Sequence, residues 1–158
     1  MSTVFHGILI ARSVSSVNDA VGRMVQTSGL KVDSVTAELT AITLAEPRRG
    51  IRIEETAALA TSLSHAFDAL FVLWDDRVGT RVSALYQSGK LIREFGPEDE
   101  LWVPLNDDGR AMTERPPLCA SELDEDGEYE TSVNAIALGL REIGAGTAWT
   151  ALRAFIVR

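Results

Sequence analysis

The stretch from Ala69 to Phe95, ALFVLWDDRVGTRVSALYQSGKLIREF, limits the folds open to this chain more than any other. Leu70 to Trp74 is an unbroken apolar run, the pattern of a strand covered on both faces. Asp75-Asp76-Arg77-Val78-Gly79 then makes a turn, after which Val82, Ala84 and Tyr86 alternate with Arg81, Ser83, Leu85 and Gln87. Ser88-Gly89 is a compact hairpin signal, and Leu91, Arg93 and Phe95 alternate with Ile92 and Glu94 beyond it. Strands joined by turns this short pair antiparallel, because a parallel pair needs a crossover of a dozen or more residues. An antiparallel meander is therefore expected, and the rest of the chain has to cover it.

Upstream, helix and strand patterns alternate. Val4 to Ala11 reads as a first strand buried on both faces. Ser13, Ser15 or Ser16 can cap the helix that follows, whose apolar face is Val17, Ala20, Val21, Met24 and Val25 and whose end is marked by Gly29. From Leu30 to Leu44, Thr36, Glu38 and Thr40 alternate with Ala37 and Leu39, which suggests one half-exposed strand, although 37–44 also fits a helix. Glu46-Pro47-Arg48-Arg49-Gly50 is a turn or loop. Ile53, Ala57, Ala60, Leu63 and Phe67 trace a second helix, with Glu54 and Glu55 where the dipole favours acids and Asp68 at its end.

Downstream, Gly96-Pro97 stops the meander, and Pro104 makes Leu101 to Leu105 at most an edge strand or packed loop. Asn106 to Asp126 is turn-rich, and so long an irregular stretch is usually functional or mobile. Tyr129, Val133, Ile136, Ala137 and Leu140 mark a helix ended by Gly144. In the tail, Trp149, Leu152 and Ile156 share a helical face, with a strand over 147–157 as the alternative. The expectation is a single α+β domain over 1–158, in the order β-α-β-α-β-β-β-long acidic loop-α-α, mainly an antiparallel sheet with helices packed on it.

Charge is unevenly spread. Residues 97–130 hold twelve acids against Arg110 and Arg115, a charge of −10, while the remainder, with eleven acids and thirteen basic residues, carries +2. Phosphate backbones repel such a segment, so nucleic-acid binding through it is disfavoured, and a basic protein or a cation is attracted. The alternative is a solvated loop that keeps the protein soluble. Within it Trp102 follows Glu98, Asp99 and Glu100, and a Trp beside carboxylates makes an interface anchor. Trp102, Asp107, Asp108, Asp124, Glu125 and Asp126 are the candidate contacts for a basic partner.

Motifs for other chemistry are weak. Glu122, Asp124, Asp126, Gly127 and Glu128 follow part of a calcium-loop pattern, but Val133 stands where a bidentate Glu is required. Asp107 and Asp108 ahead of Gly109 fail likewise, with Arg115 at the closing position. One cysteine and two histidines provide no zinc spacing and no disulfide framework. Cys119 is flanked by groups that would raise its pKa, which makes it an inert thiol. Gly139, Gly144 and Gly146 lack the preceding strand of a dinucleotide fingerprint. No metal or cofactor is expected.

For catalysis, His6 lies in an apolar strand and reads as a core or edge residue. His65, just ahead of the meander, is the better general base, with Asp75 and Asp76 as the carboxylates it would work with. That pairing calls for a partly apolar cavity holding a perturbed titrating group. Turn aspartates, however, also bond their own backbone. The N-terminal MSTVFHGILIARS lacks the pattern of a secretory signal, and no apolar run approaches the ~20 residues that span a bilayer. A soluble cytoplasmic protein is expected. The layout resembles small bacterial immunity and antitoxin-type proteins in texture alone; no motif carries the resemblance and no residue role is taken from it. The leading expectation is a non-enzymatic interaction protein whose acidic segment docks a basic partner. A homo-oligomeric structural module, and a small enzyme or ligand-binding protein with a pocket beside the meander, are the alternatives.

Overall fold

The computed structural model describes residues 4–27, 30–44, 53–96, 118–119 and 131–157. In chain order the elements are β1 (Val4–Ile10), α1 (Val14–Thr27), β2 (Leu30–Thr36), β3 (Leu39–Leu44), α2 (Ile53–Leu63), β4 (Ala69–Asp75), β5 (Thr80–Gln87), β6 (Lys90–Gly96), β7 (Leu118–Cys119), α3 (Thr131–Glu142) and α4 (Trp149–Val157). A turn of 3-10 helix, Gly146–Ala148, leads into α4. The strands form one sheet in the order β2-β3-β1-β4-β5-β6-β7. All its pairs are antiparallel except the short parallel pairing of Leu118 and Cys119 with Phe95 and Gly96.

The first six elements follow the split βαβ arrangement, with spatial order β2-β3-β1-β4. One crossover leaves β1 for β2 and the other leaves β3 for β4, in opposite directions from antiparallel strands. A single right-handed sense therefore sends both helices to the same face. Val17 and Val21 of α1 and Ala60 and Leu63 of α2 accordingly pack in one cluster with Ile8, Ile10, Phe71, Leu73 and Tyr86. On the opposite face Leu9, Leu70, Val72, Trp74, Leu85 and Phe95 meet Ala135, Ile136 and Leu140 of α3 and Leu152 of α4. The sheet is the middle of three layers, and β4 is buried along its whole length.

The local signals explain most element ends. Ser13 caps α1, its Oγ accepting from the Ser16 backbone N–H at 3.2 Å. Gly144 closes α3 at φ +80°, with Ala145 N–H donating to the Leu140 carbonyl and Gly144 N–H to that of Arg141, a complete Schellman motif. Ser88 and Gly89 both take positive φ, 52° and 78°, which gives the β5–β6 hairpin the twist that its strands need. The tail folds as a helix, with Trp149 and Ile156 packed beside buried Leu152. Gly29 and the run Leu101 to Leu105 lie outside the described residues.

Two expectations change. Leu30 to Leu44 is a hairpin of two strands rather than one strand or a helix, turning at Ala37 and Glu38. The turn has no Gly, Asn or Pro to announce it. Thr36 supplies the chemistry instead, its Oγ1 accepting from Glu38 N–H at 3.2 Å. Helix α2 ends at Leu63, ahead of Asp68, because Ser64 turns the chain: its Oγ donates to the Thr61 carbonyl and accepts from Gly89 N–H at 2.8 Å.

Gly139 faces the sheet from α3, where Ser83 Oγ donates to the Ala135 carbonyl at 2.9 Å. A Cβ there would lie 2.6 Å from Ser83 Oγ and 2.7 Å from Leu70 Cδ1. Gly139→Val is expected to destabilise the protein by about 1–3 kcal/mol through overpacking, measured by urea unfolding. Gly139→Ala should cost less, because its better helix propensity returns about 1 kcal/mol.

Candidate functional site

Alternation along β1 sends Phe5 and Leu9 to the α3/α4 side, and His6, Ile8 and Ile10 to the α1/α2 side. His6 therefore sits in a row that otherwise holds isoleucines. Its ring meets Phe71 edge-on, with centroids 5.4 Å apart and planes at 81°. Its Nε2 is buried and makes no hydrogen bond. Beside it is a cavity of about 210 Å³ lined by His6, Gly7, Leu30, Ile42, Glu55, Thr56 and Leu59. Glu55 and Thr56 come from the first turn of α2, the former exposed and the latter buried. The walls from Leu30, Ile42 and Leu59 are hydrocarbon. Burial pushes the imidazole down from 6.5 to about 4, so it is neutral at physiological pH.

The cavity has the character expected of a pocket with a perturbed titrating group, but it holds His6 and not His65. His65 is exposed in the turn after α2, at the tip of the β5–β6 hairpin, where a Cβ at Gly89 would enter its imidazole ring. Ser88 N–H also donates to the Ser64 carbonyl there, at 2.9 Å. Asp75 and Asp76 are at the far end of β4, roughly 20 Å away at ~3.3 Å per strand residue. The fold does not bring His65 to either carboxylate.

Each aspartate has local work. Asp75, 5% exposed, accepts from Arg77 Nε at 2.9 Å and Nη2 at 2.7 Å, and also from the Arg77 backbone N–H. The Arg77 hydrogen bonds hold its carboxyl below the usual range. Asp76 Oδ1 accepts from Trp74 Nε1 at 2.7 Å and from Arg81 Nη2 at 2.9 Å. The Arg81 guanidinium lies 4.7 Å over the Trp74 ring, whose other neighbour is Trp149, stacked at 5.9 Å and 11°. This ladder ties α4 to the β4–β5 turn. It joins residues far apart in sequence, and no local pattern announces it.

Another hollow, wider and more polar, of about 610 Å³, is bounded by Arg12, Ser13, Glu38, Thr147 and neighbours. Arg12 there donates to the Ala11 carbonyl at 2.8 Å. Its walls are chain ends and turns, with no orphaned buried atom among them. A second buried acid–base neighbourhood lies on the α1/α2 side, where burial and then the charge of Glu94 push Tyr86 up to about 12. Among the described residues no group of three or more His, Cys, Asp or Glu could hold a metal, and no helix is long and apolar enough to cross a membrane.

Trp102, Asp107, Asp108, Asp124, Glu125 and Asp126, and the calcium-like patterns around them, lie outside the described residues. The described chain does fix where the acidic segment is attached. It leaves β6 at Gly96, touches the sheet edge at Leu118–Cys119, and re-enters at Thr131, the start of α3, which packs on β5 and β6.

The His6 site is legible in a pH profile. Among the described residues, Glu55 on α2 is the charged group lining the same cavity. An imidazole at about 4 in the fold and 6.5 when released makes the unfolded chain bind more protons between those values. Stability should therefore fall as pH drops from 6.5 towards 4, and be insensitive to this group above 6.5. Asp75, lowered from 3.8, has the same sign of linkage, and its stabilisation is lost only below that value. The urea midpoint of wild type minus that of His6→Phe should carry the slope between 6.5 and 4; a flat difference would contradict the burial of the neutral ring.

Compared with known protein families, with curated proteins and with solved structures, the chain matches none of them.

Proposed function

We propose that the protein is a non-enzymatic binding protein and that segment 97–130 docks a basic protein partner. The observation that carries this reading is the charge partition: −10 within 97–130 against +2 over all the rest. Twelve carboxylates within one segment repel one another, and a cationic surface would offset that repulsion. Gly96, Leu118–Cys119 and Thr131 are the described residues that bound and interrupt this segment. Trp102 supplies an apolar anchor amid the carboxylates, and Asp107, Asp108, Asp124, Glu125 and Asp126 supply the complementary charge.

The test is affinity capture from the native cell at low and high salt, with wild type and with a triple variant, Asp124→Asn, Glu125→Gln and Asp126→Asn. A basic protein should be retained at low salt, and should be lost both in the variant and near 1 M salt, where screening acts within about 3 Å. A partner retained equally by the variant, or capture indifferent to salt, would remove the acidic segment from the interface.

A further inference from the structure

A strand at the rim of a sheet offers its free backbone groups to any other strand, and a charged side chain there normally keeps strangers away. Strand β2 is at the rim, beside β3, and no strand lies beyond it among the described residues. It pairs with β3 in unbroken register from Leu30 to Ser34, after which a bulge interrupts the ladder before Thr36. In an antiparallel ladder alternate residues direct both N–H and C=O away from the partner strand. The outer side of Leu30 to Ser34 therefore carries a short row of donors and acceptors suited to one more strand.

The side chains of this stretch are complementary to a second copy of themselves. Leu30 and Val32 pack, partly buried, on the α1/α2 side of the sheet. Alternation puts Lys31 and Asp33 together on the other face. They form an opposite-charge pair, 3.4 Å apart, with side chains 62% and 24% exposed. When two β2 strands pair antiparallel about a two-fold axis, directly opposed residues share a face, so the axis must fall at a residue. An axis at Lys31 opposes two lysines and one at Asp33 opposes two aspartates, and like charges directly opposite are destabilising. An axis at Leu30 or Ser34 carries the pairing beyond the regular stretch. An axis at Val32 sets Lys31 against Asp33 of the partner subunit, Asp33 against the partner's Lys31, and Val32 against the partner's Val32. Val32 is also the midpoint of the regular stretch, so this register stops short of the bulge.

We propose that the outer edge of β2 is a homodimer interface, where two copies of the chain pair antiparallel about Val32 and join their sheets. The Lys31–Asp33 pair then discriminates among strands: it favours its own copy in one register and opposes neighbouring registers by like charge. The surface lies outside segment 97–130 and stands whether or not a basic partner docks there. A contact one short strand wide belongs at the small end of protein interfaces, so the dimer is weak and exchanges with monomer.

Sedimentation velocity on the full chain should show a monomer–dimer equilibrium with a dissociation constant between about 1 μM and 1 mM. Asp33→Lys turns two attractive cross-strand pairs into two repulsive ones and should weaken the dimer about tenfold. Adding Lys31→Asp to it restores opposite charges across the axis and should return the dimer to near its wild-type strength. The register is read separately by cross-linking in a Cys119→Ser background. Val32→Cys should give a disulfide-linked dimer on mild oxidation, because opposed Cβ atoms lie about 4.5–5.5 Å apart. Ser34→Cys, which faces the partner's Leu30, should not. A chain still monomeric at about 1 mM would overturn the proposal. So would a dimer indifferent to Asp33→Lys, or one that the double variant does not restore. Cross-linking through Ser34→Cys as readily as through Val32→Cys would do the same, and this comparison decides even if Asp33→Lys fails to fold.

Discussion

Seven consecutive residues of β4, Ala69 to Asp75, are buried, and a strand in that condition needs an apolar layer on each side. The remaining chain supplies both. Helices α1 and α2 cover one face because two crossovers of the same hand, starting from antiparallel strands, must land together. Helices α3 and α4, delivered after the meander, cover the other. Removal of either pair would expose a full row of β4 side chains, Leu70, Val72 and Trp74 on one side or Ala69, Phe71 and Leu73 on the other. Each large side chain in those rows is worth about 1.5–3 kcal/mol of burial. The closeness of the layers has its own demands, seen at Gly139, where α3 rides so low on β5 that no side chain fits between them.

Burial of β4 also dictates how its ends are finished. At Asp75 a carboxylate buried at the end of β4 is matched by the two-pronged Arg77, and Asp76 joins Trp74, Arg81 and Trp149 in a stacked ladder. Polar chemistry that resembled an acid–base pair in sequence is absorbed into holding a turn and a helix. His65 is likewise spent on the Gly89 hairpin tip. His6 is a polar group set in an otherwise apolar row: it lines a cavity, yet its Nε2 is buried and makes no hydrogen bond.

Legibility follows the range of the forces involved. The meander, the Ser13 cap, the Ser88-Gly89 hairpin and the Gly144 stop are local: each needs only residues a few positions apart to satisfy a dihedral or a hydrogen bond. The β2–β3 turn was hidden because Thr36 makes it with a side-chain oxygen rather than with a residue that tolerates positive φ. His6 carried a signal, its place two positions before Ile8 and four before Ile10 on one strand face. Its partner walls, Leu30, Ile42, Glu55, Thr56 and Leu59, come from three other elements, and no spacing connects them.

By itself the sequence determined that a buried strand begins an antiparallel meander, that helices flank it, and that the acidic charge is confined to 97–130. Those properties depend on composition and on periods of two and 3.6 residues, which neighbours along the chain define. Only the tertiary structure decided which histidine faces a cavity, which aspartates are tied to arginines, and which tryptophans stack. Those outcomes depend on the order β2-β3-β1-β4-β5-β6-β7, in which strands distant in sequence become neighbours and a side chain's environment is set by the elements that pack across it.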